Sequence, residues 1–159
     1  LAQESTPLLR QVNALRAEHG LPAVPISPAL NAVAAAHVRD LAAHPPSGQC
    51  NLHSWSQSGS WTSCCYTGDH KQARCMWDKP REITHGSYTG DGFEIAAWYS
   101  QGMTPSQALA SWKDSDDHLN ILLNRGIWSK TKWQAVGGAV FGHYAVVWFG
   151  KVAESKTPR

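Results

Sequence analysis

Apolar positions recur at helical spacing in three stretches of the chain, and each stretch opens on Ser or Thr followed by Pro. A hydroxyl at the cap and proline at the first helical position mark a helix start, because proline lacks an N–H that the first turn cannot satisfy anyway. Thr6-Pro7 predicts a helix from Leu8 to His19, ended by Gly20, with Leu8, Val12 and Leu15 on its apolar face and Arg10, Arg16 and Glu18 elsewhere. Ser27-Pro28 predicts a second, alanine-rich helix to about Ala43, with Leu30, Val33, Ala34, His37 and Leu41 in one stripe. Thr104-Pro105 predicts a third, with Ala108, Leu109 and Trp112 apolar. A break at Asp114-Ser115 separates it from a fourth, where Ser115 is placed to cap and Asp116 and Asp117 set negative charge at the positive end of the helix dipole.

Elsewhere the pattern changes. Trp133 to Phe141 and Tyr144 to Val152 are short β-rich runs that predict an antiparallel hairpin turning at Phe141-Gly142-His143. Gly92 to Trp98 is mostly apolar but carries Glu94 between Phe93 and Ile95, and a carboxylate there must reach water, a cation or a donor. From His44 to Asp91 the chain is rich in Ser, Gly, Trp and Cys, a long stretch to leave as loop inside one domain. Trp55, Trp61 and Trp77 mark it as ordered, since a solvated linker does not carry such residues.

Cysteine usage accounts for that order. Cys50, Cys64, Cys65 and Cys75 all fall in this segment, without the C-x-x-C or C-x-x-H spacing of zinc sites. Two disulfides are the better reading, which implies an oxidising compartment, secreted or periplasmic. Of the three possible pairings, a bridge between the adjacent Cys64 and Cys65 strains the intervening peptide, so Cys50 and Cys75 are expected each to take one of the central pair. The 159 residues read as one domain over 1–153, with 45–91 as a stapled insertion and 154–159 as a loose polar tail. A net charge of +2 with no basic stripe argues against nucleic acid. No apolar run approaches the roughly 18 residues of a transmembrane helix. The polar opening Leu1-Ala-Gln-Glu is compatible with a mature chain freed of its signal. A monomer is expected.

Several motifs stand in an order that resembles the superfamily of cysteine-rich secretory proteins, venom antigens and plant pathogenesis-related proteins, called CAP or SCP-like. Val12-Asn-Ala-Leu-Arg-Ala-Glu-His-Gly-Leu-Pro-Ala is similar to its opening helix and turn, and Ser27-Pro-Ala-Leu-Asn-Ala-Val-Ala-Ala-Ala-His to its second helix. Leu52-His53-Ser54 matches the His-Ser that follows, and Gly92-Phe93-Glu94-Ile95-Ala96 stands where the family has Gly-Glu-Asn-Ile-Ala. Trp112-Lys-Asp-Ser115-Asp-Asp-His118-Leu-Asn-Ile-Leu resembles the bacterial Trp-x-x-Ser-Pro-Gly-His-x-x-Ile-Leu, and Phe141-Gly-His143-Tyr-Ala-Val-Val-Trp resembles the Gly-His-Tyr strand. The resemblance implies an α+β fold, a three-layer α-β-α sandwich around a mainly antiparallel sheet. It implies a cleft lined by His53, Glu94 and His143 that holds a divalent cation. The fourth acidic position of eukaryotic members falls on Ser115, so His118 is the substitute ligand, a set that suits zinc. About Ser56 to Asp91 has no counterpart in the family pattern.

On this reading the first expectation is a secreted binding module, with a cation in the cleft and a small lipid, sterol or glycan near it. A metal-dependent hydrolase of peptides, esters or glycans with Glu94 as general base is the alternative. Neither H-E-x-x-H nor G-x-S-x-G is present to support it. A third reading is a structural or partner-binding domain with a vestigial cleft. His19 and His37 read as structural, and His44, His70 and His85 as solvent-facing.

Overall fold

Three strands, β1 (Gly92–Trp98), β2 (Ala135–Phe141) and β3 (Tyr144–Gly150), form an antiparallel sheet in the order β1-β3-β2. The computed structural model describes residues 2–155, with side chains from residue 6 onward. Successive residues of a strand point to opposite faces. Phe93, Ile95, Val147 and Phe149 therefore enter one core, which is closed by α1 (Ala2–Glu18), α4 (Pro105–Lys113) and α5 (Asp116–Leu123). Ala139, Tyr144, Val146 and Trp148 enter the other, closed by α2 (Pro28–Ala43), α3 (Ala73–Ile83) and the stapled segment. With both faces covered, β3 is buried at every position. This is the three-layer α-β-α sandwich.

Two helix starts follow the sequence closely. Ser27 Oγ accepts from the Leu30 amide at 3.0 Å, and Thr104 Oγ1 from the Gln107 amide at 3.1 Å, each with proline next in the chain. Two others depart from it. α1 begins at Ala2, so Pro7 lies inside the helix; this near its start it removes a single intrahelical bond. Ser115 takes the extended cap conformation of α5 without its side chain making a cap bond, leaving Asp116 and Asp117 to favour that first turn. Arg16, expected on the polar side of α1, is buried. Its guanidinium donates to Leu122 O and Asn124 Oδ1, both at 2.8 Å, and to Pro22 O at 3.0 Å, and so ties α1 to the end of α5.

The insertion is ordered, and part of it is the helix α3, hidden in sequence by its Cys, Trp and Pro content. The bridges are Cys50–Cys65 and Cys64–Cys75, each outer cysteine taking one of the central pair. Lys79 reaches out of α3 with no exposure. Its ammonium donates to Thr62 O at 2.6 Å and Glu82 Oε1 at 2.9 Å, and lies 5.4 Å from the centre of a Trp55 ring. The buried Asp40 of α2 accepts from the Ser56 amide at 2.8 Å. The expected loose tail is tied at its start. Glu154 Oε1 accepts from the Ala29 amide at 2.8 Å, placing an acid at the positive end of α2, whereas 156–159 lie outside the described residues.

β1 is an edge strand, and two of its backbone groups are taken up by side chains of neighbouring elements. Glu94 N–H faces Met76 Sδ at 3.3 Å, and Ala96 O accepts from Trp112 Nε1 at 3.1 Å. At the other end of the sheet Gly142, with φ 60°, starts a two-residue turn that joins β2 to β3.

Candidate functional site

The strand register puts Glu94 opposite Trp148, on the face that packs against α2. A carboxylate there is sealed from water, so its charge must be met by donors. Two imidazoles meet it. His37, from the apolar stripe of α2, faces Oε2 through Nδ1, and His53, from the stapled segment, faces Oε1 through Nδ1 at 2.8 Å. The second nitrogen of His37 donates to Ser54 O at 2.9 Å. Both partners of the His37 ring are acceptors, so both its nitrogens carry hydrogen and the ring and Glu94 share one proton as a buried ion pair. Its flat contact with Trp55, 4.1 Å between centroids and 7° between planes, fixes the ring.

Local structure aims His53. Asn51 Oδ1 accepts from the His53 amide at 3.0 Å, Asn51 N donates to Tyr66 O at 2.8 Å, and a bridge between Trp55 and Cys64 closes the excursion one turn later. The Tyr66 ring stands edge-on to the imidazole at 5.2 Å. With Nδ1 committed to Glu94, the second ring nitrogen, Nε2, is free of any hydrogen bond within the described residues. Burial by itself pushes the Glu94 carboxyl up, but the charge and hydrogen bond of His37, then those of His53, outweigh it and hold the acid below its ordinary range. Burial, and secondly the Glu94 charge, push the Tyr66 phenol up.

His118, in the first turn of α5, lies near enough to His53 to feel its charge. Burial is the main cause that lowers its pKa; the nearby charge of His53 adds to this, and Asp117 opposes it. Its Nδ1 is buried and has no hydrogen-bond partner. His53 and Glu94 are therefore in contact at the edge of β1, with His118 within reach of the charge of His53, and His37, read from sequence as structural, is the second partner of Glu94. The signal for it was present: an ionisable residue on an apolar helix stripe and an acid on an apolar strand each need a buried partner, and here they partner each other.

His143 does not join them. It sits in the hairpin turn, exposed, with Nδ1 bonded to Tyr99 O at 2.9 Å. β1 pairs Trp98 with Tyr144, so the turn lies beyond Trp98, four residues or roughly 13 Å along the strand from Glu94. The donor set is consequently smaller than the sequence suggested. Both Glu94 oxygens are committed to imidazole hydrogens, and among the described residues no three His, Cys, Asp or Glu side chains are disposed to hold a metal. Two imidazoles fall short of the three protein ligands of a catalytic zinc site and the four of a structural one. A resident metal does not fit these residues.

Comparison with known proteins places this arrangement. Residues 9–140 match the Cysteine-rich secretory protein family, CAP. No curated protein matches the chain significantly. Among solved structures, an extracellular protein of Bacillus anthracis that contains an SCP domain is similar at TM-score 0.63 and 16% identity, over 94% of this chain and 40% of that one. A cysteine-rich secretory protein of Staphylococcus aureus is similar at TM-score 0.59 and 16% identity, over 95% of this chain and 39% of that one. An outer surface protein of Borrelia burgdorferi is similar at TM-score 0.58 and 18% identity, over 93% and 90%. The chain thus spans about 40% of the length of the first two, and likeness at such low identity speaks for the fold alone. The sandwich, the motifs on it and the match over 9–140 agree: this chain belongs to the Cysteine-rich secretory protein family, CAP.

Proposed function

We propose that the chain is a secreted CAP binding domain whose cleft at the β1 edge engages a small polar ligand through His53 Nε2, with His118 beside it. One observation carries this reading. Glu94, anchored by His37 without solvent contact, engages His53 through Nδ1 and leaves its Nε2 without a hydrogen bond among the described residues. An imidazole fixed in this way loses little freedom when it accepts a hydrogen bond or a cation. Export is supported by the two disulfides and by the extracellular and outer-surface descriptions of similar structures. No helix of the described residues is long and apolar enough to cross a membrane. The divalent cation expected from the resemblance enters only as an exchangeable ligand of His53 and His118, with water or the small ligand filling its other positions.

The same dyad favours a second reading, a hydrolase. A carboxylate behind an imidazole is the arrangement that orients a general base, and the base would then be His53, with Glu94 its orienter. One set of measurements separates the two. Zinc is titrated into metal-free protein by calorimetry, and ester, peptide and glycan panels are assayed for turnover, with His53→Ala and His118→Ala beside the parent. Zinc binding lost in both variants, without turnover, supports the binding domain. Turnover abolished by His53→Ala supports the hydrolase. Neither binding nor turnover overturns both and leaves the cleft vestigial.

A further inference from the structure

Ile127, in the 3₁₀ turn Gly126–Trp128 between α5 and β2, is 89% exposed, more than any other large apolar side chain among the described residues. The chain around it is anchored. Asn124 and Gly126 take left-handed conformations, with φ 53° and 59°, and the Asn124 side-chain amide donates to Thr131 O at 2.8 Å. Trp128 turns inward against Phe93 and Trp133, with 5.2 and 5.3 Å between ring centroids. One aliphatic side chain is thus held out in water by a fixed turn. A lone exposed isoleucine is ordinary in itself, and the charges beside it give it meaning. Arg125, Lys130 and Lys132 flank the turn. The sheet adds Lys151, which follows Gly150, the partner of Ala135, and rests its ammonium 5.0 Å from the centre of the Phe93 ring. All four are exposed, and none forms an ion pair with an acid among the described residues. The neighbouring acids are mostly engaged or remote. Asp91, beside the Gly92–Gly150 pair, is bonded to Arg81 at 2.6 Å, and Glu154 to the Ala29 amide. Asp114, Asp116 and Asp117 lie at the other end of α5 from Arg125, roughly 12 Å along the helix. Glu18 is left as the opposing charge, next to the His19 whose Nδ1 faces Arg125 at 3.2 Å.

We propose that this turn docks the protein on an anionic lipid bilayer. Ile127 enters the headgroup layer, and Arg125, Lys130, Lys132 and Lys151 lie over the lipid phosphates. A soluble polyanion would meet the same cations but has no apolar layer to receive Ile127, so a bilayer is the partner that uses both features. Because the turn is already fixed by Asn124 and Trp128, little ordering opposes docking. The surface does not involve His53 or Glu94 and stands or falls without them.

Co-sedimentation of the disulfide-intact protein with vesicles tests this, using equal parts phosphatidylglycerol and phosphatidylcholine against phosphatidylcholine alone. Binding is expected to the anionic vesicles only, and it should be lost in about 1 M salt, where charges are screened within about 3 Å. Lys130→Gln with Lys132→Gln should weaken it about 25-fold, roughly fivefold for each cation. Ile127→Ser should weaken it about tenfold while leaving binding to heparin, a soluble polyanion, unchanged. The three positions are exposed, and an unaltered thermal midpoint checks that each variant is folded. No sedimentation at millimolar lipid, or equal sedimentation with neutral vesicles, overturns the proposal. Full vesicle binding by Ile127→Ser also overturns it and reduces the turn to a site for soluble polyanions.

Discussion

His37 donates its Nδ1 hydrogen to the Glu94 carboxylate across the layer between α2 and β1, and neither side chain has any contact with solvent. Two charges in such a place stabilise the fold only while both are present, because removing one leaves the other buried and unpaired. Glu94→Gln should therefore lower unfolding free energy by about 3 kcal/mol. The double variant His37→Leu/Glu94→Gln should cost less than the sum of its singles, since it leaves no orphan charge. Urea unfolding of the four proteins checks both statements, and strict additivity would rule out the pair.

Acid should destabilise the protein in two stages. Both His118 and Glu94 have folded-state pKa values below their ordinary 6.5 and 4.5, so for each the unfolded chain binds the proton more readily. Stability from such a group is complete above the unfolded value and is lost as pH falls from there through the folded one. The first loss begins near pH 6.5 and belongs to His118; the second begins near 4.5 and belongs to Glu94. Unfolding curves across pH for the parent and His118→Asn test the assignment: the variant should lose the first stage and keep the second.

Gly137→Ala should be among the most damaging single changes. A Cβ at this position would lie 2.2 Å from the backbone carbon of Leu30, so α2 would have to lift off β2. Overpacking against backbone costs about 3 kcal/mol. A fall in thermal midpoint of only a degree or two would show that the layers separate more easily than this contact implies.

Arg16→Met should also cost about 3 kcal/mol. The guanidinium serves Leu122 O in a buried bond and Asn124 Oδ1 and Pro22 O in partly buried ones, and an apolar side chain leaves the buried Leu122 carbonyl without a donor. Burial lowers the Arg16 pKa, but no carboxylate among the described residues partners it, so the loss should be nearly flat with pH. Chemical denaturation at two pH values distinguishes this from a salt-bridge effect.

Breaking Cys64–Cys75, by Cys64→Ser with Cys75→Ser, releases a span of 11 residues and should remove about 3 kcal/mol on the chain-entropy argument. Because Trp55 pairs with Cys64 through both backbone bonds, at 3.0 Å each, the near-ultraviolet dichroism of the tryptophans should weaken with it. An unchanged aromatic signal would mean that Lys79 and Asp40 hold the segment without the bridge.

Much of the scaffold was legible because it is written locally. The Ser-Pro and Thr-Pro starts of α2 and α4, the hairpin turn and the reading of four clustered cysteines as two bridges all depend on neighbours in the chain, and the structure has them where the pattern put them. The start of α1, the burial of Arg16 and the helix α3 were not legible, since each is decided by what packs against it.

The candidate site divides in the same way. By itself the sequence determined that Glu94 needed a partner, and motif order put His53 and His118 forward for the same cleft. Only the tertiary structure decided which donors the carboxylate receives. β-register turned Glu94 toward α2, where His37 waits on the apolar stripe, and the same register left His143 at the exposed turn beyond Trp98. Side-chain chemistry is a property of residues, but the meeting of side chains depends on which face of a strand and which stripe of a helix are pressed together, and that is settled only when the layers close.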